Sequence, residues 1–237
     1  LYDATWRDAL EAAVRAGGAI SHHHGVGRSK APRLGTELGL GVEVVRSLMR
    51  VFDPAAIFNP GNLLPPIAPR RPAHDRAAPE IARPRFDEGS LLVEANGATT
   101  LKALEELAHS RGLTLRLPAT EETLASFLAR GAPGAPDPWD DPVDHLVAGL
   151  SARLASGEQL VVHPGPRRAV GPDLYALFSG FSERVGAIES AFVRLHRTGL
   201  AARPLPSAVP RDPAIGAAER LLMEAVVKEA RATRFTS

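Results

Sequence analysis

Cysteine is absent from the 237 residues. Disulfides, thiolate nucleophiles and cysteine-based zinc sites are therefore excluded, and the composition suits a reducing cytoplasm. An excess of charge is also absent: 28 lysines and arginines face 27 aspartates and glutamates, and a net charge of +1 gives no basic field to gather nucleic acid. No apolar run is long enough to span a bilayer, and the first residues do not form a secretory leader. These absences predict a soluble protein without a transmembrane segment.

Hydrophobic residues make up 44% of the chain, enough for one large or two small domains with buried cores. The chain begins at Leu1 without methionine, close to the start of a predicted helix, and we therefore expect a segment of a longer polypeptide. A stretch rich in proline, charged and small residues indicates an extended linker. The expected organisation is a first segment over 1–65, the linker over 66–86, a second domain over 87–200, and a further linker with a helix over 201–237.

Helical spacing of apolar residues predicts two helices in the first segment. One has Asp3 as its N-cap and stops at Gly17-Gly18, because glycine commonly follows the last helical turn. The other covers Gly41 to Phe52 and ends before Pro54, since proline disfavours helical geometry in the residue that precedes it. Ala19 to His22, between them, is expected to be a short strand.

Strands and helices are predicted in turn from Ser90 onward. The chain as a whole is therefore expected to be of the α+β class, with a partial α/β module in its second half. The predicted elements are a strand over 91–94, a helix over 100–111, a strand over 114–117, a helix over 121–130 capped by Thr120, a hairpin of 146–154 with 159–163, a strand over 187–196 and a helix over 214–230.

Three consecutive histidines, His22 to His24, lie in the stretch GGAISHHHGVGRSK. Side chains of an extended segment alternate between its faces, so three neighbours cannot easily ligate one ion, and no metal is predicted. Imidazole exchanges protons near neutral pH, and Gly25 and Gly27 allow the backbone to turn sharply or to approach a flat ligand. From the residues alone, a proton-transfer site and exposed loop histidines with no task remain equally open.

The chain contains two motifs, SHHHGVGRSK from Ser21 and VFDPAAIFNPGNLLP from Val51. Together, and at this spacing, they resemble the C-terminal end of FAD-linked oxidases of the vanillyl-alcohol-oxidase and p-cresol-methylhydroxylase type. The triple histidine makes the stretch most similar to the alkyldihydroxyacetonephosphate synthases of that superfamily. Its relatives acting on 2-hydroxy acids usually carry Ser-Gly-Glu-His-Gly-Ile-Gly here. The resemblance covers Leu1 to about Pro65. Asn62 replaces a lysine common in the family, a difference that we expect to matter little.

The resemblance implies FAD as the cofactor, held mainly by sequence upstream of Leu1. It also implies a reaction in which the acyl group of acyl-dihydroxyacetone phosphate is exchanged for a fatty alcohol through a flavin adduct, as in ether lipid synthesis. Imidazoles at the flavin would accept and donate protons in that exchange. The implied site residues are His24, His23 and His22 for catalysis, Gly25, Gly27, Asn59 and Gly61 for the flavin, and Lys30 and Arg28 for a substrate phosphate.

Residues from Ser90 onward resemble the PCMH-type FAD-binding domain of the same superfamily, with two glycine-dependent elements altered. In place of the Gly-rich turn that cradles the pyrophosphate, residues 125–142 contain prolines, which lack an N–H, and aspartates, which repel phosphate. The second element keeps only Gly180 and Gly186 of its glycines and has Glu183 where a bare backbone is expected. We interpret the second half as a degenerate copy without its flavin site.

Three functions stay open: this alkyl exchange, an FAD-dependent dehydrogenase or oxidase of a 2-hydroxy acid, and a non-catalytic domain with a lost flavin site. The segment is expected to be inactive alone. The expected partners are a small-molecule or lipid substrate, the rest of the same polypeptide and a second copy in a homodimer, with nucleic acid excluded. The expected location is the cytoplasm, with a position peripheral to a membrane as the alternative.

Overall fold

The computed structural model describes residues 1–21, 24–64, 81–130, 146–155, 157–165, 174–178 and 185–199, and six single residues between 213 and 224. The chain divides into two compact units. Unit 1 consists of Leu1–Asp75, Pro166–Asp173 and Leu221–Ser237, and unit 2 consists of Arg76–Gly165 and Leu174–Arg220. Most of the expected linker and most of the expected terminal helix lie outside the described residues.

The described part of unit 1 is helical. Its elements are α1 (Tyr2–Arg15), α2 (Gly27–Lys30), a 3₁₀ helix (Ala31–Arg33), α3 (Leu34–Leu38) and α4 (Gly41–Phe52). Both helices predicted from the apolar spacing are present, and α4 has the predicted bounds because Asp53 leaves helical geometry before Pro54. The predicted N-cap is wrong, since α1 already begins after Leu1 and includes Asp3 in its first turn.

The strand predicted from Ala19 to His22 is not formed over Ala19–Ser21. The described residues of unit 1 include no strand that could pair with it. Instead, the backbone N–H of Ile20 donates to a carboxylate oxygen of Glu37 at 2.8 Å. This segment therefore satisfies its backbone through a side chain rather than through a ladder of strand hydrogen bonds.

A small apolar cluster stabilises unit 1. Its buried members are Val26, Ala31, Leu34 and Val42, against which Leu38, Leu63 and Leu64 pack. Val26 lies two residues after the last histidine, within the first motif, and Leu63 lies near the end of the second motif, two residues after Gly61. The cluster therefore contains apolar residues of both family-like motifs and packs them together.

Unit 2 is built around a five-stranded sheet in the order β1-β2-β6-β4-β5, with every neighbouring pair antiparallel. A second, two-stranded sheet pairs β3 with β7, also antiparallel. The elements are β1 (Arg85–Asp87), β2 (Leu92–Asn96), α5 (Leu101–His109), β3 (Leu113–Thr114), α6 (Leu124–Ala129), β4 (Val147–Leu154), β5 (Gln159–Val162), a 3₁₀ helix (Leu174–Leu177), β6 (Gly186–Arg194) and β7 (His196–Arg197).

These elements confirm the α+β class expected from the sequence, and the antiparallel pairing suits a sheet with helices to one side. The predicted hairpin is formed by β4 and β5. Among the described residues, every helix is too short or too polar to cross a membrane.

Candidate functional site

Hydrogen bonds join the two ends of the segment Ser21–Gly25, which we call the histidine loop. The buried hydroxyl of Ser21 donates to the carbonyl oxygen of Gly25 at 2.5 Å. The Lys30 ammonium donates to the same carbonyl at 3.0 Å and to the Ser21 hydroxyl oxygen at 3.2 Å. Three polar groups therefore form a small ring that joins the beginning and the end of the loop.

His24 is exposed at the C-terminal end of the histidine loop. His22 and His23 lie outside the described residues. The structure therefore places one of the three predicted catalytic imidazoles where a ligand can reach it.

Three glycines predicted to face a flavin have left-handed backbones: Gly25 with φ +72°, Gly27 with φ +56° and Gly61 with φ +74°. A Cβ atom built on any of them would meet no heavy atom within 4 Å. Glycine is thus required at these positions by the backbone conformation, and the space beside the backbone is open. Asn59 also adopts a left-handed φ of +49°, which asparagine tolerates better than most residues.

Arg28 and Asn62 connect the two motifs. Nε of Arg28 donates to the side-chain oxygen of Asn62 at 2.6 Å, and the side-chain nitrogen of Asn62 donates to the side-chain oxygen of Asn59. These bonds connect the segment that contains Gly25, Gly27 and Arg28 to the turn that contains Asn59 and Gly61. Asn62, which the sequence led us to regard as unimportant, is the residue that joins them.

A turn after α4 holds the second motif in place. The Asp53 carboxylate accepts from the backbone N–H groups of Ile57 at 3.0 Å and Phe58 at 2.8 Å. Asp53 therefore acts as a local cap for the segment that leads into Asn59. The signal was visible in the sequence, because aspartate before proline commonly starts a turn that its own side chain closes.

In unit 2, the N-terminus of α6 could bind a phosphate only if its first N–H groups were free, because free N–H groups at a helix N-terminus bind anions. The N–H of Leu124 donates to the Thr99 carbonyl and that of Ala125 to the Gly97 carbonyl, both at 2.8 Å. The Ser126 N–H donates to the Thr123 hydroxyl at 3.3 Å. All three donors are bonded within the protein, so this helix end does not fit a pyrophosphate.

Unit 2 contains a pocket of about 550 Å³ beside the turn that follows β2. Its charged lining residues are paired: Arg153 Nε lies 2.7 Å from a carboxylate oxygen of Glu189, and Gln159 donates to the other oxygen of Glu189 at 2.9 Å. Gly97, which also lines the pocket, is packed tightly, since an added Cβ would lie 2.7 Å from the Ile188 carbonyl oxygen. The pocket therefore has no basic group set aside for an anion.

The described carboxylates with a shifted pKa belong to unit 2. The hydrogen bond from Arg130 lowers the pKa of the Glu122 carboxyl, and the hydrogen bonds from Ser90 lower that of Asp87.

Over the part of the chain that the structure describes, no three His, Cys, Asp or Glu side chains are grouped to hold a metal ion.

Residues 1–63 match the model of the family described as FAD linked oxidases, C-terminal domain. The glycolate oxidase subunit GlcD of Bacillus subtilis (strain 168) is 38% identical over 68 residues, which are 28% of this chain and 14% of that protein. The alkyldihydroxyacetonephosphate synthase of Caenorhabditis elegans is 37% identical over 65 residues, 27% of this chain and 11% of that protein. The chain thus spans less than one sixth of the length of either relative.

Among solved structures, an alkyldihydroxyacetonephosphate synthase is similar with a TM-score of 0.40 and 20% identity, over 49% of this chain and 21% of that one. The match over residues 1–63 includes the histidine loop, Arg28 and the Asn59–Asn62 turn. The similarity to FAD-linked oxidases thus lies in the first 63 residues, which carry both motifs.

Proposed function

We propose that this chain contributes the histidine loop to a flavin-dependent enzyme of the alkyldihydroxyacetonephosphate synthase type, which exchanges the acyl group of acyl-dihydroxyacetone phosphate for a fatty alcohol. The observation that carries the proposal is the Arg28–Asn62 hydrogen bond, because it brings two distant motifs of the family into one site. The three consecutive histidines favour this type over others. A cytoplasmic, membrane-peripheral location and a homodimer belong to the same proposal.

Proton transfer is the task proposed for the histidines. His24 is exposed on a loop whose ends are fixed, and a neutral imidazole can accept a proton from the substrate carbon beside the carbonyl. His23 and then His22 are the next candidates, because a neighbouring imidazole could return a proton to the departing group. The order of importance proposed is His24, His23 and His22.

The residues of unit 1 fit a flat cofactor. FAD, when bound, supplies the electrophilic ring that such an exchange requires. Gly25, Gly27 and Gly61 leave open space beside their backbones, and Asn59 lies in the same network, so these four residues are proposed to contact the ring system. The N–H groups at the start of α6 are already bonded, so the pyrophosphate is proposed to be held elsewhere in the complete protein.

Arg28 is the proposed ligand of the substrate phosphate. A guanidinium has five N–H donors in a fork that matches phosphate oxygens, and the bond to Asn62 uses one of them. The side chain is exposed, and Asn62 fixes its orientation. Arg28 therefore combines positive charge with a defined position.

The test uses the protein expressed from its complete reading frame and purified with its flavin. Incubation with acyl-dihydroxyacetone phosphate and a radiolabelled fatty alcohol should yield a labelled alkyl product and free fatty acid. Omission of the alcohol serves as the control. Flavin-loaded protein that forms no alkyl product would refute the proposed reaction.

A second candidate is the oxidation of a 2-hydroxy acid. The observation that favours it is the 38% identity to the glycolate oxidase subunit GlcD over 68 residues. If this alternative holds, adding glycolate to the same preparation in the presence of an artificial electron acceptor should reduce the acceptor and bleach its colour. A protein that lacks visible flavin absorbance and is inactive in both assays would instead indicate a non-catalytic domain.

A further inference from the structure

Within the described part of unit 1, the Lys30 ammonium is bonded to the histidine loop and not to a charged side chain. Its ammonium donates to the Gly25 carbonyl at 3.0 Å and to the Ser21 hydroxyl at 3.2 Å. An ammonium has three N–H donors, so two of the three are used by the two ends of the loop. The Gly25 carbonyl accepts from both Ser21 and Lys30, one bond for each lone pair.

Burial strengthens these hydrogen bonds, because little water competes for the same groups. Ser21 is 4% exposed, Val26 after the loop is 5% exposed, and Lys30 is half-buried. Hydrogen bonds from a charged donor in such surroundings are worth more than exposed ones, and a buried hydroxyl or carbonyl left without its partner is costly. Loss of the ammonium would therefore remove two of the three hydrogen bonds that close the histidine loop and leave the Ser21–Gly25 bond without their support.

A second attachment lies just before the loop. Glu37 of α3 accepts the Ile20 N–H at 2.8 Å and holds the chain that enters the loop. Lys30 lies at the end of α2, so two short helices together hold the segment on which the histidines lie. Lys30 and Glu37 thus hold the histidine loop and the residue before it, whereas Arg28 is exposed and donates to a side chain of the second motif.

We propose that Lys30 is a positioning residue, which orients His24 by joining Ser21 to Gly25, and that it does not bind the substrate phosphate. The inference rests on the proposed function for the consequence in catalysis, but the attachment itself does not depend on it. It replaces the sequence-based expectation that Lys30 and Arg28 together bind phosphate, and it leaves that task to Arg28.

The first experiment measures the backbone mobility of the 237-residue chain by ¹⁵N NMR relaxation. Order parameters near 0.85 mark rigid backbone, and values below about 0.6 mark flexible backbone. In Lys30→Met, which keeps the apolar stem and removes the donors, the order parameters of His24 and Gly25 should fall below about 0.6, while those of α4 stay unchanged. Arg7→Met is the matched control, because Arg7 is exposed and pairs with its sequence neighbour Asp8, away from the histidine loop in the sequence.

Unchanged order parameters at His24 and Gly25 in Lys30→Met would overturn the inference. A uniform fall that includes α4 would also overturn it, because the residue would then support the unit as a whole. Lys30→Arg should restore order to the loop, since a guanidinium can also donate to both oxygens.

The second experiment separates positioning from phosphate binding in the flavin-loaded protein from the complete reading frame. A misplaced catalytic group lowers kcat, so Lys30→Met should lower kcat about tenfold or more with KM for the phosphate-bearing substrate within about twofold. A rise in KM with kcat preserved would show phosphate binding and contradict the inference. If the unaltered protein has no turnover, the proposed function fails, and the NMR result alone decides the role of Lys30.

Discussion

Nε of Arg28 donates a hydrogen bond of 2.6 Å to the side-chain oxygen of Asn62, across 34 positions of the sequence. The two residues belong to different family motifs, one after the histidines and one after the Asn59-Pro60-Gly61 turn. Asn62 also donates to Asn59. A single asparagine thus sets both the orientation of Arg28 and the geometry of the turn.

The first prediction concerns this pair. Arg28→Ala and Asn62→Ala should each destabilise unit 1 by no more than about 1 kcal/mol, because the bond is exposed to solvent. The double variant should show a coupling of about 0.5 kcal/mol or more, measured by a double-mutant cycle in urea. Fully additive effects would mean that the two side chains do not interact in solution.

The second prediction concerns the apolar cluster of unit 1. Leu34 is fully buried, so Leu34→Ala should lower the free energy of unfolding by about 2–5 kcal/mol through lost contacts and the cavity left behind. Phe52→Ala is the matched control, because Phe52 is 62% exposed and its loss should change stability by about 0.5 kcal/mol or less. Equal effects of the two variants on the urea midpoint would contradict the position of the core.

The third prediction concerns the turn after β2. A Cβ on Gly97 would lie 2.7 Å from the Ile188 carbonyl oxygen and 2.9 Å from Cβ of Ala125, so Gly97→Ala should destabilise unit 2 by about 1–3 kcal/mol. Gly89→Ala is the control in the same unit, because its added Cβ comes no closer than 3.4 Å to the Asp87 carboxylate. Thermal unfolding should show a lower Tm for the first variant only, and an unchanged Tm for Gly97→Ala would refute this packing.

The fourth prediction concerns pH. The hydrogen bond from Arg130 holds the pKa of Glu122 below its ordinary value of 4.5. A lowered folded pKa stabilises the protein above about pH 4.5, and this contribution is lost as the pH falls through the folded value. Glu122→Gln should therefore lower stability at pH 7 and reduce the loss of stability as the pH falls below about 4.5.

The control for this prediction is Glu106→Gln, whose exposed side chain lies on α5. The urea midpoint of this variant is measured over the same pH range, as the reference for replacing an exposed glutamate elsewhere in the chain. An identical pH profile for Glu122→Gln and the unaltered chain would contradict the Arg130 contact.

The sequence predicted the long helices well because their apolar spacing is a local property. α4 has the predicted bounds, and Thr100 precedes α5 as a cap whose hydroxyl accepts the Ala103 N–H at 3.2 Å. The histidine loop and the closing turn were also found from sequence, through the resemblance of two motifs. What the motifs did not show is that Asn62 joins them, since the bond forms only when distant loops fold together.

Elements that depend on distant contacts were placed less well. The strand expected over 114–117 ends at Thr114, because the Leu115 N–H donates to the buried Glu105 carboxylate at 2.8 Å and leaves the ladder. The helix expected from 121 begins at Leu124, since the Glu122 carbonyl accepts the Leu101 N–H at 2.9 Å and Thr123 is the cap. In both places a tertiary hydrogen bond overrides the local pattern.

The central claim is that His24 transfers protons at a flavin. The most direct measurement is the rate of alkyl exchange by His24→Ala in flavin-loaded protein from the complete reading frame, with the visible absorbance recorded in parallel. The account predicts that the flavin is retained and that kcat falls by about 10²-fold or more, as expected when a general acid–base group is removed. Undiminished exchange with the flavin retained would contradict it.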